Sequence, residues 1–133
     1  MQQAMRRVMD GDWPKMPWSP LLLSGPQITN STVGFLGFGR IAQATLARLL
    51  PFQISNAIYL TSQPGQKAKE DFYGLLKEQK IPIKPAQDWK ELASKSDVLF
   101  VGCALNEKTK HAVNEEFFKL MKKRAVIVNI ARG

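Results

Sequence analysis

A chain of 133 residues with a formal net charge of +8 is long enough to form one small domain with a buried core. Its single cysteine excludes an internal disulfide, its single histidine predicts no metal site, and no apolar run approaches the ~20 residues that span a bilayer. Because no secretory signal follows Met1 and the lone cysteine fits a reducing compartment, we expect a cytoplasmic protein without a membrane partner.

The first 30 residues predict the end of a helix followed by an extended arm. The helix covers residues 2–9 and ends at Gly11, and residues 12–30, which we call the arm, are irregular and rich in proline. Trp13, Trp18 and the leucines of the arm are too apolar for a free linker. We therefore expect the arm to pack on a second subunit, on a further domain or on the chain's own core.

Strands and helices alternate along the rest of the chain. The predicted strands lie at 33–38, 57–61, 81–83, 97–102 and 125–130. The predicted helices lie at 40–50, 66–79, 88–94 and 114–121. The third strand contains proline and is expected at a sheet edge, and Asn114 is expected to cap the last helix. This alternation predicts right-handed crossovers and an α/β fold with a doubly wound parallel sheet of about five strands.

The turn between the first strand and its helix carries the pattern Gly-x-Gly-x-x-Ala, from Gly37 to Ala42. The first glycine permits a tight turn, Gly39 lets the main chain approach a pyrophosphate, and the small Ala42 lets helix and strand pack closely. Backbone N–H groups and the positive end of the helix dipole would then face the phosphates. The pattern predicts a Rossmann-type dinucleotide site, although such a turn also occurs for purely structural reasons.

The end of the second strand bears on the choice between NAD and NADP. NAD enzymes place an acidic residue there to bind the ribose 2′-hydroxyl, whereas this chain has Thr61, Ser62 and Gln63. These side chains can donate hydrogen bonds to a 2′-phosphate, and Lys67 or Lys69 could neutralise it. We therefore expect NADP rather than NAD as the cofactor.

The excess of basic residues does not predict a nucleic-acid partner. Lysines between Lys67 and Lys95 alternate with acidic residues, as on solvated helix faces. The one dense basic run, at 119–124, falls at the end of a predicted helix, where cations complement the dipole. The charge does suit an anionic ligand such as a phosphorylated nucleotide.

Three segments in this order resemble the D-isomer-specific 2-hydroxyacid dehydrogenases. They are residues 34–43 with a Gly-Arg-Ile step, residues 103–109 after the fourth strand, and residues 128–133, which are similar to the family's Asn-x-Ser/Ala-Arg-Gly signature. Within the family, the glyoxylate and hydroxypyruvate reductases are the most similar group. That similarity lies in the pairs Gln43-Ala44, Pro51-Phe52 and Gln63-Pro64, and the step Gly11-Asp12-Trp13 resembles the family's Gly-x-Trp.

The resemblance implies an NAD(P)-dependent oxidoreductase that reduces a small 2-oxoacid to the D-2-hydroxyacid. It implies the end of an interdomain helix and an arm over residues 1–30, then an NAD(P)-binding domain over residues 31–133. The family's split substrate domain, two further strands and its catalytic Glu and His have no counterpart here, so we expect a fragment that is inactive alone. It also implies a homodimer for the intact protein.

The resemblance carries roles onto particular residues. Gly37, Gly39, Arg40 and Ile41 would line the pyrophosphate, and the Arg40 side chain would either contact a phosphate or remain solvated. The other expected cofactor contacts are Thr61, Ser62 and Gln63 at the 2′-position, Ala104 and Leu105 over the adenosine, and Ile130 under the ribose and nicotinamide. Relatives often have arginine where Ser62 stands, which weakens the expectation of NADP.

Arg132 is the expected catalytic residue. A guanidinium just past the carboxyl end of a strand faces the crevice where ligands bind in such sheets. It can hold a 2-oxoacid carboxylate by two parallel hydrogen bonds and polarise the keto oxygen, which the ammonium group of lysine cannot match in geometry. Thr109 is either a residue that fixes its loop or a plain turn hydroxyl, and His111 is expected to be a surface residue rather than a proton donor.

Two alternatives remain open from the sequence. The same fold serves nucleotide-sensing corepressors, because a fold does not determine a function. A short chain of this kind could also bind only nucleotide or a partner, with an exposed edge on its last strand.

Overall fold

The computed structural model describes residues 2–20, 22–78 and 80–131. Its five strands are β1 (Thr32–Leu36), β2 (Asn56–Leu60), β3 (Ile83–Pro85), β4 (Val98–Val101) and β5 (Val126–Asn129). Its α-helices are α1 (Gln2–Met9), α2 (Arg40–Leu49), α3 (Trp89–Lys95) and α4 (Glu115–Leu120). Two short 3-10 helices lie at Trp13–Lys15 and Leu50–Phe52.

All strand pairs are parallel, and the strands lie in the order β3-β2-β1-β4-β5. These are the first five positions of the Rossmann strand order. A parallel sheet buries both faces, and successive side chains of a strand point to opposite faces. Phe35 of β1 therefore joins one core cluster with Leu46 of α2, while Leu36 joins a second cluster with Leu92 and Phe117 of α3 and α4. The predicted α/β fold is confirmed.

Local signals place the ends of three helices close to their predicted positions. Asn114 caps α4 by accepting a hydrogen bond from the N–H of Phe117 (3.0 Å), as predicted, and Asp88 caps α3 through the N–H of Glu91 (2.7 Å). Helix α2 ends at Leu49, two residues before Pro51. The edge position predicted for the proline-containing strand is also confirmed, although β3 begins two residues later than predicted.

The helix predicted over residues 66–79 is wrong, because the described part of this segment contains only turns and bends. Gly74 adopts a φ of +69°, which the right-handed helix does not allow. Side chains accept hydrogen bonds from backbone N–H groups that would be paired with carbonyl oxygens in a helix. The Asp71 carboxylate accepts from the N–H groups of Leu76 and Lys77 (3.1 and 3.2 Å). The N–H of Ala68 donates to the Tyr59 hydroxyl (2.9 Å). Tertiary contacts thus outweigh helix propensity.

The arm does not pack its tryptophans into the core. Trp18 is 88% exposed and Trp13 is 53% exposed, so packing on the chain's own core is wrong for these two side chains. The neighbouring α1 also exposes Met5, Val8 and Met9. The apolar composition of the arm is what led us to expect a contact with another surface. Across the described ranges, no helix combines the length and apolar content that crossing a bilayer requires.

Asp97 joins three elements at the amino ends of the strands. Its carboxylate accepts hydrogen bonds from the N–H of Thr32 (2.8 Å) and from Nζ of Lys122 (2.8 Å). Partial burial acts to raise the pKa of Asp97, but these two hydrogen bonds and the Lys122 charge outweigh burial and hold the pKa below its ordinary value. The native state therefore favours the ionised carboxylate.

We expect Asp97→Asn to lower the free energy of unfolding by about 1 kcal/mol at neutral pH, since a charged hydrogen bond is lost at a partly exposed site. A depressed pKa stabilises the fold above the unfolded value of about 4 and ceases to do so as the pH falls through the folded pKa. Urea unfolding of both proteins between pH 7 and pH 3 should thus show a difference that shrinks in acid. Asp10→Asn, at an exposed position, is the control, and a difference that is constant with pH would contradict the argument.

Candidate functional site

The turn after β1 is built into the core. Phe38, between the two glycines, is buried and stacks on the ring of Tyr59 with centroids 4.1 Å apart. Gly37 adopts a φ of +89°, and its N–H donates to the carbonyl oxygen of Leu60 (2.8 Å). A Cβ at Gly37 would lie 2.8 Å from the backbone of Cys103, so only glycine fits between the loops that follow β1 and β4.

Gly39 and the first turn of α2 present open backbone. Gly39 is the N-cap of α2 with an extended conformation, no side chain caps the helix, and a Cβ at this residue would meet nothing within 4 Å. The first turn of α2 contains no acidic residue, and Ile41 is 69% exposed. Unpaired N–H groups at a helix N-terminus favour an anion. The described residues thus fit a pyrophosphate at this turn.

The segment after β2 offers hydroxyl and amide groups. The hydroxyl of Thr61 accepts a hydrogen bond from the N–H of Gln63 and lies 3.2 Å from both the nitrogen and the carbonyl oxygen of that residue. This local turn leaves the side chains of Ser62 and Gln63 exposed. The bond from Gly37 to Leu60 places this segment beside the glycine turn. Thr61, Ser62 and Gln63 therefore border the same corner of the sheet as the start of α2.

The loop after β4 is fixed by its own polar side chains. Thr109 Oγ1 donates to the carbonyl oxygen of Ala104 (2.6 Å) and accepts from the N–H of Asn106 (2.8 Å). The amide oxygen of Asn106 accepts from the N–H groups of Lys108 and Thr109. Thr109 thus holds its loop in place, while Ala104 and Leu105 are exposed, Leu105 by 67%.

The end of β5 reaches the same edge. The N–H of Ile130 donates to the carbonyl oxygen of Val101 (3.0 Å), and its side chain lies 3.6 Å from where a Cβ of Gly102 would be. Asn129 Oδ1 accepts from the N–H of Ala131 (2.9 Å) and so sets the direction of the chain after the strand. Arg132, the expected catalytic residue, lies outside the described residues.

The four loops meet because carboxyl ends of parallel strands share one edge of the sheet, which we call the carboxyl edge. Direct contacts join the loop after β1 to those after β2 and β4, and the loop after β4 to that after β5. The expected cofactor residues within the described chain all lie along this edge. They are Gly37, Gly39, Arg40, Ile41, Thr61, Ser62, Gln63, Ala104, Leu105 and Ile130.

A groove of about 690 Å³ lies at the opposite, amino edge of the sheet. It is lined by Thr32 and Asn56, which begin β1 and β2, and by Lys84 and Lys122. Ligands of open α/β sheets bind outside the carboxyl ends of the strands, at the point where the strand order reverses. For that reason the carboxyl edge, between β1 and β4, remains the candidate site.

Gln43 and Phe72 have structural roles that were not predicted from the sequence. The Gln43 side chain is fully buried, donates to the carbonyl oxygens of Phe38 and Glu70, and accepts from the N–H of Phe72. The Phe72 ring lies under the guanidinium of Arg40, with Cζ 5.1 Å from the ring centroid. The one available signal was an amide side chain between Ala42 and Leu46, on the buried side of a helix.

Comparison with known proteins agrees with this geometry. The family model described as the D-isomer specific 2-hydroxyacid dehydrogenase, NAD binding domain, matches residues 1–133. A curated human glyoxylate reductase/hydroxypyruvate reductase is 37% identical over 133 residues, which are 100% of this chain and 37% of that protein. A glyoxylate reductase of Thermofilum pendens is 34% identical over 131 residues, 98% of this chain and 35% of that protein.

A solved structure supports the same likeness at the level of the fold. The apo-structure of D-lactate dehydrogenase from Escherichia coli matches with a TM-score of 0.71 and 28% sequence identity. The match covers 99% of this chain and 37% of that one. The chain therefore spans a little over a third of the length of the proteins that it resembles.

Proposed function

The chain belongs to the D-isomer-specific 2-hydroxyacid dehydrogenases through their NAD-binding domain, and from this membership we propose that it forms the nucleotide-binding part of an enzyme that reduces a small 2-oxoacid. The product would be the D-2-hydroxyacid. The observation that carries the proposal is the open backbone of Gly39 above an uncapped helix N-terminus at the carboxyl edge. The names of the curated relatives support glyoxylate or hydroxypyruvate as the kind of substrate.

A nicotinamide cofactor would supply the hydride in such a reaction. The chain's own residues would position it: backbone N–H groups from Gly39 to Ile41 would hold the diphosphate, and the exposed apolar side chains of Leu105 and Ile130 would pack against the rings. Arg132 would bind the substrate carboxylate and polarise the keto oxygen. His111, the one histidine of the sequence, is exposed in the loop after β4, and we assign it no part in proton transfer.

Calorimetric titration with NADPH and NADH, followed by an assay with glyoxylate, tests this proposal. The 133-residue chain should bind nucleotide by itself, and reduction of glyoxylate is assayed in a protein that also carries the Glu and His that the family resemblance implies for proton transfer. An enzyme that includes those two groups should turn over. Failure of the chain to bind either nucleotide would overturn the proposal. Binding without reduction in such an enzyme would instead support a nucleotide sensor of the corepressor type.

We propose NADP as the preferred cofactor, since Ser62 and Gln63 expose neutral donors where an acidic residue would repel a 2′-phosphate. Ser62→Asp should then weaken NADPH binding by about 10- to 100-fold, because a charge-assisted contact of roughly 1.5–3 kcal/mol is replaced by repulsion. NADH binding should stay the same or improve. Ser94→Asp, at the amino edge, adds the same charge as a control. Equal effects on both nucleotides would contradict a contact at the 2′-position.

The amino-terminal surface supports a further part of the proposal. Trp18 and the apolar side chains of α1 are exposed, and a second subunit that covered them would form a homodimer in the intact protein. A reductase of this kind would act in the cytoplasm, where Cys103 would stay reduced.

A further inference from the structure

The non-helical segment at residues 66–78 is hydrogen-bonded both to β2 and to α2, the two elements that border the candidate nucleotide site. Near its start, the N–H of Ala68 donates to the hydroxyl of Tyr59 on β2 (2.9 Å). A few residues later, Glu70 and Phe72 are both bonded to Gln43 on α2. The segment therefore runs from the end of β2 to the start of α2, on the β2 side of the sheet. This is the side on which the sequence predicts the adenosine ribose.

Gln43 ties this segment to the glycine turn. Its Nε2 donates to the carbonyl oxygens of Phe38 (3.2 Å) and Glu70 (2.9 Å), and its Oε1 accepts from the N–H of Phe72 (2.9 Å). All three partners are backbone groups, and the side chain is fully buried. A buried amide with every bond made is costly to displace. Gln43 thus sets the position of Phe72 relative to the turn.

Phe72 in turn holds Arg40. The guanidinium of Arg40 lies over the Phe72 ring, 5.1 Å from its centroid, within the range of a cation–π contact. Arg40 is the first residue of α2, where the positive end of the helix dipole disfavours a cation unless an anion is present. An exposed arginine held by a ring at this position points to an anionic ligand. The ring belongs to the segment that follows β2, so the contact fixes the guanidinium at the border between the start of α2 and that segment.

We propose that Arg40, positioned by Phe72 and Gln43, recognises the 2′-phosphate of NADP in this chain. The inference rests on the proposed function and adds the residue that selects the cofactor. The end of β2 carries Thr61, Ser62 and Gln63, so it supplies no guanidinium. Lys67 and Lys69 are exposed, whereas the planar guanidinium of Arg40 is already held and can bind phosphate by two parallel bonds.

Calorimetric titration of the 133-residue chain with NADPH and with NADH tests the proposal. Arg40→Met should weaken NADPH binding by about 10-fold or more and NADH binding by less than about 3-fold. Phe72→Leu should lower the preference for NADPH by about 2- to 5-fold, and Phe72→Tyr, which keeps the ring, should restore it. The matched controls Arg48→Met on α2 and Phe118→Leu on α4 should leave the preference unchanged.

Gln43→Met tests the positioning role, because a purely structural amide would change the melting temperature without changing the ratio of the two affinities. We expect that ratio to fall as far as in Phe72→Leu, and an unchanged ratio would overturn the role. If this variant does not fold, the Phe72 pair carries the test.

Other results would overturn the proposal in distinguishable ways. Equal weakening of both nucleotides by Arg40→Met would assign the guanidinium to the diphosphate, and a selective effect of Lys67→Met or Lys69→Met would assign the 2′-phosphate to that lysine. A wild-type chain that binds NADH as tightly as NADPH would refute the inference and leave the proposed function intact. A chain that binds neither nucleotide would refute the proposed function itself.

Discussion

Replacement of Gly39 by valine is expected to abolish dinucleotide binding while the fold survives. The residue is extended, with φ −81° and ψ −166°, which a β-branched residue adopts readily. A Cβ there meets no protein atom within 4 Å, so the new side chain would occupy the space above the start of α2. The fold should lose only about 1 kcal/mol, for a poorer helix N-cap. Binding should fall by more than about 100-fold, because the main chain could no longer approach the phosphates.

Gly37→Ala is the informative comparison, because it should damage both the fold and the site. Its Cβ would lie 2.8 Å from the backbone of Cys103, and its φ of +89° is strained for alanine by about 1–3 kcal/mol. Calorimetry with NADPH and thermal unfolding of both variants separate the two effects. Should Gly39→Val bind NADPH as wild type does, the diphosphate would not lie over this turn.

Local pattern was sufficient to predict the elements on which the site depends. The strands β1, β2, β4 and β5 are short apolar runs, and parallel pairing follows from the helices between them. The glycine turn was predictable because its two glycines have separate and local requirements. Gly37 needs a positive φ and a close approach, and Gly39 needs open backbone. Each requirement is met within a few residues of sequence.

The segment at 66–78 could not be predicted in this way. Its charged residues and its apolar positions fit a helix, and Gly74 alone argued against one. Part of what decides its conformation is a pair of hydrogen bonds to Gln43, which lies 27 and 29 residues earlier in the chain than its two partners. No local window contains both partners. A sequence therefore reveals an uncapped helix N-terminus after a glycine turn more readily than the distant contacts that position one arginine beside it.

The amino-terminal arm shows a second limit of prediction from sequence. The composition of the arm predicted packing, yet Trp18 is almost fully exposed in the described chain. Apolar composition indicates that a surface should be covered, but it does not identify the domain, subunit or ligand that covers it. The carboxyl edge is similar, because Ile41 and Leu105 are exposed there as well. A nucleotide would cover these two side chains and so account for their exposure, which the titrations described above can test.

Arg132→Lys is expected to remove most of the turnover with glyoxylate while nucleotide binding stays near that of wild type. Asn129 fixes the backbone as it leaves β5 at Ala131, and Arg132 is the next residue. Lysine keeps the positive charge but loses the planar fork that binds a carboxylate by two hydrogen bonds. Loss of one transition-state donor of this kind costs about 100- to 1000-fold in turnover. The assay requires an enzyme that includes the family's Glu and His, with the reduced nicotinamide followed by absorbance.

Arg124→Lys is the matched control for this prediction, because Arg124 is exposed in the turn before β5 and should tolerate lysine without loss of activity. The kinetic constants identify the step that is affected. If Arg132 binds the carboxylate and also polarises the keto oxygen, the substitution should raise KM for the 2-oxoacid and lower kcat together. A rise in KM alone would limit the role of Arg132 to binding. Turnover near that of wild type would show that the substrate carboxylate is held by another residue.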